Sequence, residues 1–183
     1  LGVDNVRISI DGPELPVMDG SAASFVYLIR CAGLRVQQAP RPVLRVLEPI
    51  EVDEGGRRIR IEPARGLQIS YAVDFAHPAI QRQELRLEAL DPKSFERQIA
   101  SARTFGFMQD VRALWHAGFA RGGSLRNTVL LDEARVLNPD GLRWPDEFVR
   151  HKVLDLLGDL ALLGVSIDGH VKVECGGHAL HHR

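Results

Sequence analysis

The segment EFVRHKVLDLLGDLALLGVSIDGH, residues 147–170, decides how the rest of the chain is read. Its leucines and valines recur at helical spacing, which predicts one amphipathic helix from about residue 146 to 163. Four residues of α-helix turn through about 400°, so each step of four returns to within about 40° of the same line. His151, Asp155 and Asp159 therefore form one polar stripe. Leu154, Leu157, Gly158 and Leu162 flank it, which sets the stripe against the core and not on a plainly solvated face. Two readings follow. A His–Asp pair at i, i+4 is an ordinary helix-surface ion pair, worth about 0.3 kcal/mol. The same pair can also offer an imidazole and a carboxylate to one metal ion. Asp159 lies one turn too far to join that ion and would orient another side chain instead. A catalytic zinc site takes three protein ligands, so the metal reading demands a further ligand from elsewhere.

Working outward, the helix is followed by a strand-like stretch, residues 169–174, and then by GGHALHHR. Two glycines permit a sharp turn and a close approach to a ligand. His178, just after them at the end of the strand, titrates near neutrality and suits a general acid. A loop histidine without a task is the plainer alternative. His181 and His182 read as tail residues, and Cys175 as buried filler. Upstream, ARTFGF (residues 102–107) joins a charge, a hydroxyl and two aromatics around a glycine, a mixture a core strand seldom needs. Thr104 could polarise a carbonyl or stabilise an oxyanion, with Phe105 and Phe107 walling an apolar pocket. An aromatic anchor between two helices is the alternative.

The remaining pattern mixes strands and helices without a strict βαβ rhythm. Alternation in NVRISI (5–10) predicts a half-buried strand, and residues 22–34 a helix with Asp19 or Ser21 as N-cap and Gly33 as its stop. QQAPRPV (37–43) is the linker candidate. Strands are expected at 43–47, 50–53, 57–63, 66–75 and 83–89, with Gly55-Gly56 as a hairpin turn. Helices are expected from Ser94 and over 108–117, and short strands at 128–132 and 133–137. The fold class is α+β, a helical layer on a sheet.

Composition narrows the function classes. The 183 residues carry a net charge of −1 and are 45% hydrophobic, an ordinary globular composition. That balance gives no sign of a nucleic-acid or membrane-surface partner. No apolar run approaches the roughly 20 residues needed to cross a bilayer. Two cysteines, Cys31 and Cys175, make no disulfide framework, so a reducing cytoplasmic setting is the default, with a monomer the expected state. The chain begins without Met inside a strand-like stretch, which reads as the absence of a natural N-terminal part.

MDGSAASFVYLI, ARTFGFMQDV, LNPDGLRWPDEFVRHKVLDLLGDL and GGHAL occur in this order and together cover almost the whole chain. In these motifs the chain resembles the UDP-3-O-acyl-N-acetylglucosamine deacetylases, zinc amidases of lipid A biosynthesis. The resemblance implies a two-layer α/β sandwich architecture in two similar domains. Residues 1–38 would be the C-terminal part of the first, and 39–183 the second, with an acyl-passage insert at about 106–131. It implies zinc held by His151 and Asp155, with His178 as an acid or electrostatic group oriented by Asp159. It places Thr104 at the scissile acetamide. Lys152 and Phe105 would contact the nucleotide sugar, and Val111, Leu114, Trp115 and Phe119 would line the acyl passage. The family's remaining zinc ligand is a histidine beside a glutamate base, and no Glu-His pair occurs in the 183 residues. The alternative is therefore a non-catalytic fragment that retains partial ligand binding.

Overall fold

The computed structural model describes residues 1–116 and 122–183; at 112, 114 and 115 it describes the backbone alone. Of the expected passage residues, Phe119 and the side chains of Leu114 and Trp115 thus lie outside the described residues.

The architecture is α+β. Strands β1 (Val43–Arg45), β2 (Ile50–Glu54), β3 (Arg57–Glu62), β4 (Leu67–Phe75) and β5 (Gln81–Leu87) are joined by β8 (Ser166–Glu174) in one sheet. Its order is β2-β3-β8-β4-β5. β8 is antiparallel to β3 and parallel to β4, and its first three residues pair in parallel with β1. β3 and β4 thus meet only through β8. The β2–β3 hairpin turns at Gly55-Gly56, as its sequence predicts, with φ of 62° and 87°.

Strict alternation gives the sheet two unlike faces. In β8 the buried residues are Ile167, Gly169, Val171 and Val173. Val171 and Val173 join Ile69, Tyr71 and Val73 of β4 and Leu87 of β5 in the main core. The opposite face is charged, with Arg60 paired to Glu51 and Glu62, and Arg82 to Glu84 and Glu174. The core face is covered by α2 (Pro92–Gln98) and α4 (Glu147–Ala161). α2 starts in a capping box in which Asp91 and Ser94 bond each other's backbone N–H. α4 presses Val149, Val153 and Leu156, spaced four and three apart, onto the sheet. Each such side chain contributes about 1.5–3 kcal/mol when fully buried.

A second cluster forms beside it. β6 (Phe105–Phe107) pairs in parallel with β7 (Val129–Leu131), and α3 (Met108–His116) follows β6 directly. Val129, Leu131, Ile80 and Phe148 make its core. α1 (Ala23–Ala32) ends at Gly33 as expected, but Ala22 holds its N-cap position and no side chain caps it. Five further expectations need correction. Residues 5–10 form no strand: no ladder partner stands beside them among the described residues, and Val6 and Ile8 stay exposed. FGF, read as unsuited to a strand, is one, because β7 supplies its ladder and Phe105 and Phe107 pack on Phe75. Residues 133–137 make only an isolated bridge between Val136 and Leu131. Leu162, placed on the apolar side, lies beyond the last turn of α4 and is 75% exposed. Finally, His178 opens a short helix, α5 (His178–His181), and is not a strand end.

Candidate metal centre

The site is built on α4, and α4 is anchored at its first residue. Glu147 is buried and takes four N–H donors. Arg103 reaches it with Nε at 2.9 Å, Nη2 at 3.1 Å and its backbone N–H at 3.0 Å; the Arg143 backbone N–H adds a fourth at 2.6 Å. Burial works against ionisation of Glu147, but these donors outweigh it and hold its carboxyl below the usual range. Arg143 continues outward, donating Nη2 to Asp19 and Nη1 to the Ser101 carbonyl. Between these groups runs Gly20, whose carbonyl accepts from the Thr104 N–H at 2.7 Å. A Cβ at Gly20 would lie 1.9 Å from the Asn127 carbonyl oxygen, and its φ is 81°. The DGS stretch of the MDGSA motif is thus a backbone clamp on the segment that carries Thr104.

His151 is buried one turn into α4. Its Nδ1 lies 3.0 Å from the Ala102 carbonyl oxygen. A carbonyl can only accept, so Nδ1 carries the proton. Burial is the dominant influence on this imidazole and pushes its pKa down, which favours the neutral form. Nε2 then presents a lone pair, and it lies 3.3 Å from Asp155 Oδ1. Two electron-rich atoms this close repel unless a cation binds both. The separation also suits one particular cation geometry. Two donors at about 2.0–2.1 Å from a tetrahedral ion stand about 3.3–3.4 Å apart. The second oxygen of Asp155 accepts from Lys152 Nζ at 3.0 Å, and His178 Nε2 is 4.0 Å from it. The residues present therefore fit a zinc-type ion, with the Ala102 carbonyl fixing the imidazole as an outer partner should.

The second His–Asp pair borders the first. His178 Nδ1 donates to Asp159 Oδ2 at 2.8 Å, while 61% of the His178 side chain is exposed. Phe105 closes the other flank: its ring stands edge-on to Phe148 and His151, and Lys152 Nζ lies 5.6 Å from its centroid. The structure thus brings together His151, Asp155, Lys152, Phe105, His178 and Asp159. Thr104 adjoins them through the backbone of β6, and its carbonyl accepts from the Val129 N–H. Val111 lies a turn away on α3, against Gly106.

His181 is the residue that the sequence reading missed. Its side chain is fully buried, and its Nδ1 donates to Asp159 Oδ2 at 2.7 Å. His182 Nε2 stands 3.3 Å from the other oxygen. Helical spacing after the glycines was the available signal, since it returns His181 to the side of His178. Asp159, His178 and His181 also bring ligand atoms within 4.8 Å of one another. Hydrogen bonds already occupy the contacts among them.

Known proteins resemble this chain from end to end. The family model for LpxC, UDP-3-O-acyl N-acetylglycosamine deacetylase, matches residues 1–183. A Myxococcus xanthus protein named UDP-3-O-acyl-N-acetylglucosamine deacetylase is 50% identical over 183 residues. Proteins of the same name from Oleidesulfovibrio alaskensis and Nitratidesulfovibrio vulgaris are each 52% identical, over 178 and 180 residues. These alignments take in 97–100% of this chain and 58% of each relative, so the chain spans little more than half the length of the proteins it matches. With its motifs matched from end to end and its polar residues gathered at one site, the chain belongs to the LpxC deacetylase family.

Proposed function

We propose that this chain supplies the second domain, residues 39–183, and the closing part of the first, residues 1–38, of a zinc-dependent deacetylase. The substrate is UDP-3-O-acyl-N-acetylglucosamine, and the products are acetate and the free 2-amine, made in the cytoplasm during lipid A biosynthesis. The observation that carries the reading is the facing pair on α4, a neutral imidazole nitrogen 3.3 Å from a carboxylate oxygen. His151 and Asp155 hold the ion. When bound, zinc supplies Lewis acidity toward a carbonyl oxygen and toward water.

The chain's own residues do the rest. Lys152 neutralises Asp155 and offers a point charge for the substrate's diphosphate. Phe105 gives the sugar an apolar wall, and Thr104 provides a hydroxyl beside the acetamide. Val111 belongs to the acyl passage. His178, open to solvent and tethered through Nδ1, donates a proton from Nε2 of its imidazolium to the departing amine and is left as the Nδ1–H tautomer. Asp159 holds Nδ1 throughout and orients the ring.

The test is metal content. Purified without chelator, the full-length enzyme holds about one zinc and its Asp155→Ala variant holds none, with deacetylation lost in parallel. Equal zinc in both proteins would remove Asp155 from the ligand set. The same measurement on the 183-residue chain separates a complete metal site from a fragment that only binds ligands weakly.

A further inference from the structure

Asp159 has more donors than orienting His178 requires. Its Oδ2 accepts from His178 Nδ1 at 2.8 Å and from His181 Nδ1 at 2.7 Å. A carboxylate can only accept, so both Nδ1 atoms carry protons. The two histidines differ in environment: His178 is mostly exposed and His181 is wholly enclosed. Behind His181 stands Tyr71, a buried β4 residue whose hydroxyl is 3.1 Å from His181 Nε2. With Nδ1 protonated and the ring neutral, Nε2 accepts, and the Tyr71 O–H donates. Burial keeps both partners in these forms, pushing the tyrosine pKa up and the histidine pKa down. The row runs from the sheet core to the site: Tyr71 to His181, His181 to Asp159, and Asp159 to His178.

The glycine before this row fits the same purpose. A Cβ at Gly176 would lie 3.1 Å from His181 Nε2, 3.1 Å from the Tyr71 hydroxyl and 2.3 Å from Val173 Cγ1. Gly176 therefore leaves room for the Tyr71–His181 hydrogen bond, beyond merely turning the chain. The short α5 then brings residue 181 back beside residue 178, with the two rings 6.2 Å apart.

We propose that His181 is a positioning residue: backed by Tyr71, it fixes the Asp159 carboxylate in the orientation that His178 Nδ1 engages. The inference rests on the reading of His178 as the proton donor above. Without His181, Asp159 can rotate about its χ angles or turn toward the exposed His182, and His178 loses its single tautomer.

The experiment uses the full-length enzyme with His181→Ala, His181→Asn and Tyr71→Phe, beside His178→Ala. Asparagine places its amide N–H near the position of the imidazole Nδ1–H, so it can restore the bond to Asp159. His181→Ala lowers kcat by about 10–100-fold, as loss of an outer orienting partner does, with KM and zinc content unchanged. His181→Asn regains most of that loss, and Tyr71→Phe, which deletes only the hydroxyl, falls between wild type and His181→Ala. Long-range proton–nitrogen spectra of the imidazoles give a second readout. His178 is Nδ1-protonated in wild type and in His181→Asn, and a tautomer mixture in His181→Ala. Wild-type kcat in His181→Ala, an Asn variant no better than Ala, or an unaltered His178 tautomer in His181→Ala would each overturn the proposal. If His178→Ala turns over normally, it is the role of His178 that fails, and the imidazole spectra still decide whether His181 sets its tautomer.

Discussion

Two His–Asp pairs stand on or against one helix, yet their surroundings suit them to different chemistry. His151 and Asp155 are both borne by α4, and their side chains are 10% and 16% exposed. His178 arrives from α5 and keeps 61% of its side chain exposed, although its partner Asp159 is as buried as His151. In the first pair the histidine shows the carboxylate a lone pair; in the second it shows it an N–H. A backbone carbonyl makes the difference, because Ala102 claims the Nδ1 proton of His151 and no carbonyl is bonded to the His178 ring among its hydrogen bonds. On the proposed reading, the same two residue types would serve as a cation trap in one place and as a proton donor with its orienting acid in the other.

The largest expected effect separates the pairs outright: Asp155→Ala loses metal and turnover together, as set out above. Asp159→Asn comes next. It should keep its zinc while kcat falls by about 10²–10⁴-fold, the range for a general acid put out of position. Loss of metal in Asp159→Asn would collapse the two pairs into one site. The first pair also depends on an anchor at both of its supports, since Arg103 follows Ala102 directly and grips Glu147 at the start of α4. Glu147→Ala leaves Arg103 without its carboxylate and should cost about 3–5 kcal/mol in urea unfolding. A cost under about 1 kcal/mol would show that the anchor is dispensable.

The smallest effect is a pH dependence. Because the folded pKa of Glu147 is depressed, its stabilisation is complete above the unfolded value of about 4.3 and is lost as pH falls through the lower folded value. The thermal midpoint of the wild type should therefore drop on the acid side below about pH 4.3, and that of Glu147→Gln should drop less. Parallel curves would assign the acid limb to other carboxylates.

The sequence displayed the stripe on α4 clearly, because helical periodicity alone aligns His151, Asp155 and Asp159. It also displayed the alternation of β3, β4, β5 and β8. What stayed hidden depends on groups distant in the chain. Nothing near His151 announces that the carbonyl of Ala102, 49 residues earlier, fixes its tautomer. His181 looked like tail because its partners, Tyr71 and Asp159, lie 110 and 22 residues away. FGF defied its composition because a parallel neighbour 24 positions on, from Phe105 to Val129, supplies its ladder. Residues 5–10 show the reverse case, an alternating pattern with no strand beside it among the described residues.

The central place of β8 has a consequence for the order of folding. β3 and β4 are separated in sequence by a few residues, yet their facing edges stay unpaired until residues 166–174 come between them. During synthesis, the 78 residues between Leu87 and Ser166 leave the ribosome while both hairpins still have open edges. Such distant pairings fold slowly, on the millisecond-to-second scale. The strand that finally closes the sheet also delivers the GGHAL turn to α4. Completion of the core and assembly of the site are then one event, and a chain halted before residue 166 would have neither.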